Sequence, residues 1–515
     1  MTIQLLAAAL SLILLLLTPP VPGPAAVAPD EIVRELVDVP GAAEPHTPPQ
    51  YNRARAFRYH VPGAPAPSVV LVLIPGLNSG PNTLDILARA LIAGYGPGIE
   101  VWAVAPRATL LQDRRGIVAA LASGNPDFAL GYYYGTLPID GHTFHLLKGS
   151  EVPYMAYWGL DVHLRDVHAL VGEVRRRDPA ARVVLGGHSL GGIFAAAYAG
   201  YDFAPLQGAS PATAPPAAPD IGARGISGLL FVDGLPLRVP LRLSPDRYLH
   251  GFRIPSFIRI PGLETLTATD PSKRVAPFTK TSKLARTQDS ILVDVVSVYA
   301  YLKPHDRSYF PFYPRRGLAI TNSALLAAIF SDQMQPDRFV RAAVEGPTGV
   351  FKRVDDPTGI NPNGLLDLQS GRPAPGHSLI DLSEHEAQPG VRVHLRQLLD
   401  AILRPGGEFT EWYFPWRIVL DLGLADTLDT SDVFSRQYMN LTHVRDTDVP
   451  MLIIGAGHGL VRSVRATEFY LRHVATPRDR VTVRIFPDYS HLDVEDADPN
   501  PAVSLILTWL TGVVH

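Results

Sequence analysis

Gly187-His188-Ser189-Leu190-Gly191 follows the apolar run Arg182 to Gly186 and opens onto the small-residue stretch Gly192 to Tyr201. A serine on so sharp a strand-to-helix turn stands clear of the backbone, and glycines two positions before and after it keep other side chains out of its approach. Ser189 is therefore the candidate nucleophile. A serine hydroxyl attacks poorly at neutral pH, so the chain must also supply a base, and a carboxylate that holds the base's imidazole in one tautomer.

Elements able to position such groups alternate along the chain. Phe57 to Val61, Ser68 to Pro75, Ile99 to Ala105, Arg182 to Gly187 and Gly225 to Val232 read as strands, and Asn82 to Ala93 and Trp158 to Arg177 read as helices. Strands alternating with helices imply a mostly parallel sheet covered on both faces, with any active site at the strands' carboxyl ends. The period stops after Asp233 and resumes at Pro450 to Gly455, Val481 to Phe486 and a closing helix, Pro501 to Val514. Roughly two hundred residues intervene, against ~2–6 in an ordinary connection, which makes them an insertion. Helices are expected in it at Ser290 to Leu302, Ser323 to Ser331 and Val393 to Leu403.

At this point the residues resemble the α/β-hydrolase superfamily, and more narrowly its lipase and esterase branches. The elbow 187–191 carries the resemblance at the centre. Ile74-Pro75-Gly76-Leu77-Asn78 looks like the loop after the third strand, and Tyr489-Ser490-His491-Leu492-Asp493 looks like the histidine segment. The resemblance implies a mostly parallel central sheet flanked by helices, with a large, mainly helical cap inserted after the strand ending near Asp233. It makes His491 the base and follows the chain order Ser, Asp, His. In most relatives the acid follows the strand here read as Pro450 to Gly455, but that position falls near His458. Asp446 and Asp448 precede the strand and would lie at its amino end. Asp233 directly follows Leu229-Leu230-Phe231-Val232, where some lipases carry their acid, and is the candidate; its competing role is a turn aspartate in Asp233-Gly234. The oxyanion donors implied are the backbone N–H groups of Leu190 and Leu77, with Asn78 as the neighbouring choice.

Other features are assigned plainer roles. His188 is expected to pack with its ring away from the serine, and Asp493 to bind backbone amides or cap the following segment. His163 and His168 are five apart on a predicted helix and do not share a face, so no metal site is expected there. Gly455 to Gly459 lacks the spacing of a dinucleotide loop. Asp496 to Asn500 begins like a calcium loop, yet Pro501 and Leu507 occupy its glycine and glutamate positions, so helix entry is the better reading. Tyr132 to Tyr134 and Trp412 to Trp416 could line a substrate channel, with Trp412 and Trp416 the candidate binding residues; core packing is the alternative.

The bounds of the chain agree with an exported enzyme. It has 515 residues, a net charge of −3 and no cysteine, so nothing points to nucleic acid, and disulfides and thiolate metal sites are excluded. Leu5 to Leu17 is an apolar run shorter than the ~20 residues of a membrane span, and the small residues after it resemble a signal-peptide end. The organisation expected is a signal peptide at 1–28, an extension with the first strand at 29–66, core at 67–235, cap at 236–445 and core at 446–515. The function expected is a secreted serine hydrolase acting on a small-molecule, lipid or polyester ester, with no cofactor and no stable membrane anchor. Hydrolysis of amide, lactone or carbon–carbon bonds is the enzymatic alternative, and a non-catalytic secreted binding protein the rival of another class.

Overall fold

The computed structural model describes residues 27–206, 218–236, 243–254, 258–279, 287–309, 318–331, 342, 344, 365–367, 390–425 and 428–514. The apolar run Leu5 to Leu17 lies outside the described residues. Among them, no helix is long and apolar enough to cross a membrane.

Eight strands form the central sheet: β1 (Val33–Pro40), β2 (Arg53–His60), β3 (Val69–Ile74), β4 (Ile99–Ala105), β5 (Arg182–His188), β6 (Gly228–Val232), β7 (Met451–Ala456) and β8 (Val481–Phe486). Their spatial order is β1-β2-β4-β3-β5-β6-β7-β8. β2 runs antiparallel to both β1 and β4, and every pair from β4 to β8 is parallel. Strand β1 is absent from the expected elements. It is an edge strand with Val37 as its buried residue, so its sequence, Val-Arg-Glu-Leu-Val-Asp-Val-Pro, carries little of the apolar signal of a central strand.

Alternation along β3 builds both faces of the sheet. Val70, Val72 and Ile74 point into a core with Leu160, Leu164, Val167, Val171 and Val174 of the helix Leu160–Arg177 and with the helix Leu190–Ala199. Val69, Leu71 and Leu73 face the opposite way, onto Leu87, Leu91, Ile506 and Leu510 of the helices Asp85–Tyr95 and Pro501–Val514. The spacing of the helix 160–177 explains its burial, because residues four, seven, eleven and fourteen along from Leu160 form one stripe. Its last turn carries Arg175, Arg176 and Arg177, which suit the negative end of the helix.

Strand β6 pairs directly with β7, so everything between Val232 and Met451 is inserted into the sheet connection. The expected helices occur there as Thr287–Leu302, Asn322–Phe330 and Leu395–Ile402, and Pro245–His250, Leu263–Leu266 and Trp416–Leu424 are further helices among the described residues. Two short antiparallel pairs also form, Gly251–Ile254 with Ile258–Pro261 and Leu318–Ile320 with Leu365–Asp367. A second excursion follows β4, where the sequence reading placed nothing. Its helices Arg115–Ser123 and Asp127–Tyr134 share an apolar cluster with Val295, Leu398 and Trp412 of the first insertion. Segment 404–408 then runs back along the core. Arg404 bonds Asp85 at 2.9 Å, and Asn82 donates to the carbonyls of Arg404 and Gly407 at 3.1 and 3.2 Å.

The packing predicts the ranking of three substitutions by urea denaturation. Leu71 is fully buried, so Leu71→Ala is expected to cost ~2–5 kcal/mol. Val118 is 62% exposed, and Val118→Ala is expected to stay within ~0.5 kcal/mol of the parent. Gly172 sits inside a helix with open space at its missing Cβ, so Gly172→Ala is expected to stabilise by ~0.4–1 kcal/mol.

Candidate active site

Ser189 connects β5 to the helix Leu190–Ala199 with φ 56° and ψ −123°, a conformation that side chains rarely adopt and that costs ~1–3 kcal/mol. Its backbone is pinned on both sides. The N–H donates to the Val232 carbonyl at 3.0 Å, and its carbonyl accepts from Gly192 at 3.1 Å. The neighbouring glycines are required by contact: a Cβ on Gly191 would strike the Ile74 carbonyl, and one on Gly234 would strike the carbonyl of Ser189 itself.

The structure brings Asp233 and His491 together. Asp233 is fully buried, and its Oδ2 lies 2.5 Å from His491 Nδ1. The same carboxylate accepts backbone N–H bonds from Ala456 at 3.0 Å, Leu460 at 2.9 Å and Val461 at 2.8 Å. Burial alone would raise its pKa. The hydrogen bond and charge of His491, with the amides of Leu460 and Val461, outweigh burial and hold it below the usual carboxylate value. An ionised Asp233 accepts the Nδ1 proton, which leaves the lone pair of His491 on Nε2.

This arrangement explains the histidine found where an acid was sought after β7. The segment 456–461 gives amides to the acid of the preceding strand instead of carrying an acid of its own. Gly459 fits closely enough that a Cβ there would collide with the Asp233 carboxylate. Asp448 pairs with Arg480 at 2.6 Å at the surface, and Asp446 with His443 at 2.7 Å.

His188 is buried and packed, as expected, and it also makes polar contacts. Its ring lies 4.4 Å from that of His491, and Nε2 donates to the His491 carbonyl at 3.0 Å. Glu495 Oε1 stands 3.2 Å from Nδ1 on the other side. Burial, with the neighbouring His491, pushes the imidazole of His188 down to about 3, and burial, with Asp496 nearby, holds Glu495 well above its usual range. His188 is therefore neutral at neutral pH, and burial disfavours the charged form of Glu495 beside its Nδ1. His188 thus anchors the loop that carries the candidate base, a role that sequence adjacency to Ser189 does not reveal. Asp493 binds the Ser490 N–H at 2.8 Å, as expected.

The loop after β3 turns at Gly76 to Ser79, closed by the Ser79 N–H on the Gly76 carbonyl at 3.2 Å, with Asn78 at φ 55°. Leu77, 39% exposed, occupies the middle of this turn. Leu190 opens the helix after Ser189, where a first-turn N–H has no acceptor within the helix. The inserted segment straps the turn in place: Glu411 donates its N–H to the Asn78 carbonyl at 2.7 Å, and Gly80 donates to the Phe409 carbonyl at 2.8 Å.

The remaining residues singled out from the sequence are placed as follows. Trp412 is 1% exposed, edge-on to Tyr133, with its indole N–H on Asp294 at 3.0 Å. Trp416 opens the helix Trp416–Leu424 and belongs to the main core. Both indoles thus pack in apolar cores. His168 bonds the Tyr198 hydroxyl at 3.1 Å while the His163 ring lies tilted against Phe194 at 4.2 Å, so the two do not converge. Among the described residues, no group of three or more His, Cys, Asp or Glu side chains is arranged to hold a metal ion. Asn500 caps the closing helix through the Ala502 N–H at 2.9 Å.

No family model matches the chain, and no curated protein matches it. Solved structures do. A lipase candidate from Sulfolobus solfataricus is 14% identical, with 96% of this chain and 98% of that chain covered at a TM-score of 0.48. A soluble variant of monoglyceride lipase from Saccharomyces cerevisiae is 12% identical over 96% and 99%, at 0.34. Epoxide hydrolase A from Mycobacterium thermoresistibile is 13% identical over 93% and 99%, at 0.35. At such scores the likeness carries no argument about the bond cleaved. The chain's own geometry does speak to architecture: with its mostly parallel eight-stranded sheet, the strained serine turn after β5 and the histidine loop after β8, it has the α/β-hydrolase fold.

Proposed function

We propose that the protein is a secreted serine hydrolase of carboxylic esters, with Ser189 as nucleophile, His491 as general base and acid, and Asp233 as the group that orients His491. The observation that carries the reading is the bond of 2.5 Å between His491 Nδ1 and a carboxylate already held by three backbone amides. It fixes the tautomer in which Nε2 can take the Ser189 proton. Ser189 Oγ then attacks the ester carbonyl, and the N–H groups of Leu77 and Leu190 receive the oxyanion. His491 returns the proton to the leaving alkoxide, which departs and leaves an acyl-enzyme. Water, deprotonated by His491, then attacks the acyl carbonyl, the bond to Ser189 Oγ breaks, and His491 returns the proton to that oxygen as the acid leaves. Residues of about 235–445 act as a cap over this centre and set substrate choice. The leader-like run before residue 28 supports export.

A non-catalytic binding protein is the weaker reading. A buried carboxylate and imidazole at hydrogen-bond distance beneath a strained serine turn cost stability and suit catalysis.

Labelling by a fluorophosphonate and turnover of a short nitrophenyl ester test the assignment. Ser189→Ala is expected to lose both with its fold intact by circular dichroism, and His491→Ala to lose turnover. Labelling of Ser189→Ala at the parent rate would remove Ser189 from the chemistry.

The acid is tested separately. Asp233→Asn is expected to lower turnover by about four orders of magnitude, because an amide cannot hold the same tautomer. Asp448→Asn is expected to leave turnover near the parent value, and the reverse ranking would move the acid to the other strand. Gly459→Ala should act through position alone: with a Cβ pressed onto the Asp233 carboxylate, labelling should slow by roughly a hundredfold and the melting temperature should fall.

A further inference from the structure

A small cavity adjoins the candidate nucleophile at the carboxyl ends of β3 and β4. Gly76, Trp158, His163, Phe194, Glu411 and Phe414 line it, and its volume is about 20 Å³, enough for one water molecule or one hydroxyl-sized group. Gly76 is the wall it shares with the active centre: a Cβ there would stand 3.0 Å from Ser189 Cβ and 3.5 Å from Ser189 Oγ.

Two polar side chains stand among these apolar walls. His163 is 9% exposed, rests on the ring of Phe194, and its Nε2 has no hydrogen-bond partner. Glu411 is 4% exposed, and its carboxyl makes no hydrogen bond to any described residue, although its backbone N–H is fixed to Asn78. Burial holds Glu411 well above its usual value; burial, with Arg107 nearby, lowers His163 to about 4. Burial thus disfavours the charged form of each, and the two side chains together offer hydrogen-bonding groups to the cavity. The ion pair on the same wall differs: Arg107 is satisfied by Asp166 at 2.8 Å and by the Ala42 carbonyl at 3.0 Å. A buried polar group without a partner costs ~1–3 kcal/mol. Two of them around one cavity beside the nucleophile mark a place built for a ligand group.

We propose that this cavity is a substrate subsite that receives an uncharged hydroxyl carried close to the scissile carbonyl, so that the preferred substrates are esters of short hydroxy acids or of short diols. The proposal rests on the assignment of Ser189 as nucleophile. The apolar walls leave an alkyl group no clash but also no partner for Glu411 and His163, and a site built to hydrogen-bond a hydroxyl rejects the analogue lacking it.

Isosteric substrate pairs test this. Nitrophenyl glycolate against nitrophenyl propionate places the hydroxyl on the acyl side; the ethylene glycol monoester of butyrate against propyl butyrate places it on the alcohol side. After correction for intrinsic reactivity, the hydroxyl-bearing member of one pair is expected to have roughly tenfold or greater advantage in kcat/KM. Glu411→Gln, which still hydrogen-bonds, should keep the preference, and Glu411→Leu should bring the ratio close to one. A second readout is independent of turnover: in full-length Ser189→Ala, glycolamide should raise the melting temperature more than propionamide at equal concentration. No advantage in either pair, a ratio unchanged by Glu411→Leu, or equal shifts by the two amides would overturn the subsite and leave the cavity to a structural water. Failure of the wild-type chain to take fluorophosphonate would instead overturn the assignment of Ser189, and the amide shifts would still decide whether the cavity binds a hydroxyl.

Discussion

The carboxylate of Asp233 is the point on which the rest of the site depends. It is fully buried, so its charge must be met by hydrogen-bond donors, and four reach it, one of them from His491. Those donors come from the end of β7, from the turn beyond it and from the loop after β8. One side chain at the end of β6 therefore fixes the relative positions of three strand ends. The same requirement explains local sequence that looks weak in isolation: the turn 456–461 must present amides inward, and only glycine fits at 459.

Around this ionised group, burial disfavours the charged form of four other acids and imidazoles. His188 and Glu495 lie on one side of the centre, and His163 and Glu411 line the cavity on the other. Burial sets all four in the uncharged direction. The Asp233 carboxylate, held in the charged direction, stands apart from these four, and its bond to Nδ1 orients the His491 ring.

The sequence was most legible where one strand or helix meets many partners. Val69–Ile74 is apolar throughout because both of its faces are covered, and the helix 160–177 announces itself by its stripe. The edge strand β1 and the helices 115–134 were missed for the opposite reason, since each buries only a few residues and owes its place to tertiary contacts. Within the site, Ser189, Asp233 and His491 could be singled out because each ends or follows a recognisable strand. His188 was visible as a packing residue, but its polar partners, the His491 carbonyl and Glu495, were not, because they are remote in sequence. Glu411 carried no local signal at all, since its significance comes from a cavity that Trp158, His163 and Phe194 complete.

The strap formed by residues 404–411 carries a consequence for modularity. Inserted segments are often regarded as parts that can be exchanged while the scaffold beneath keeps its competence. Here an internal stretch of the insertion is fastened to the core at Asp85 and Asn82 and to the turn around Leu77 through Asn78 and Gly80. A graft that severed the chain before residue 404 would preserve those fastenings, whereas one that severed it after 411 would remove them. The boundary between scaffold and accessory in this molecule is therefore set by hydrogen bonds, and it lies well inside the inserted sequence.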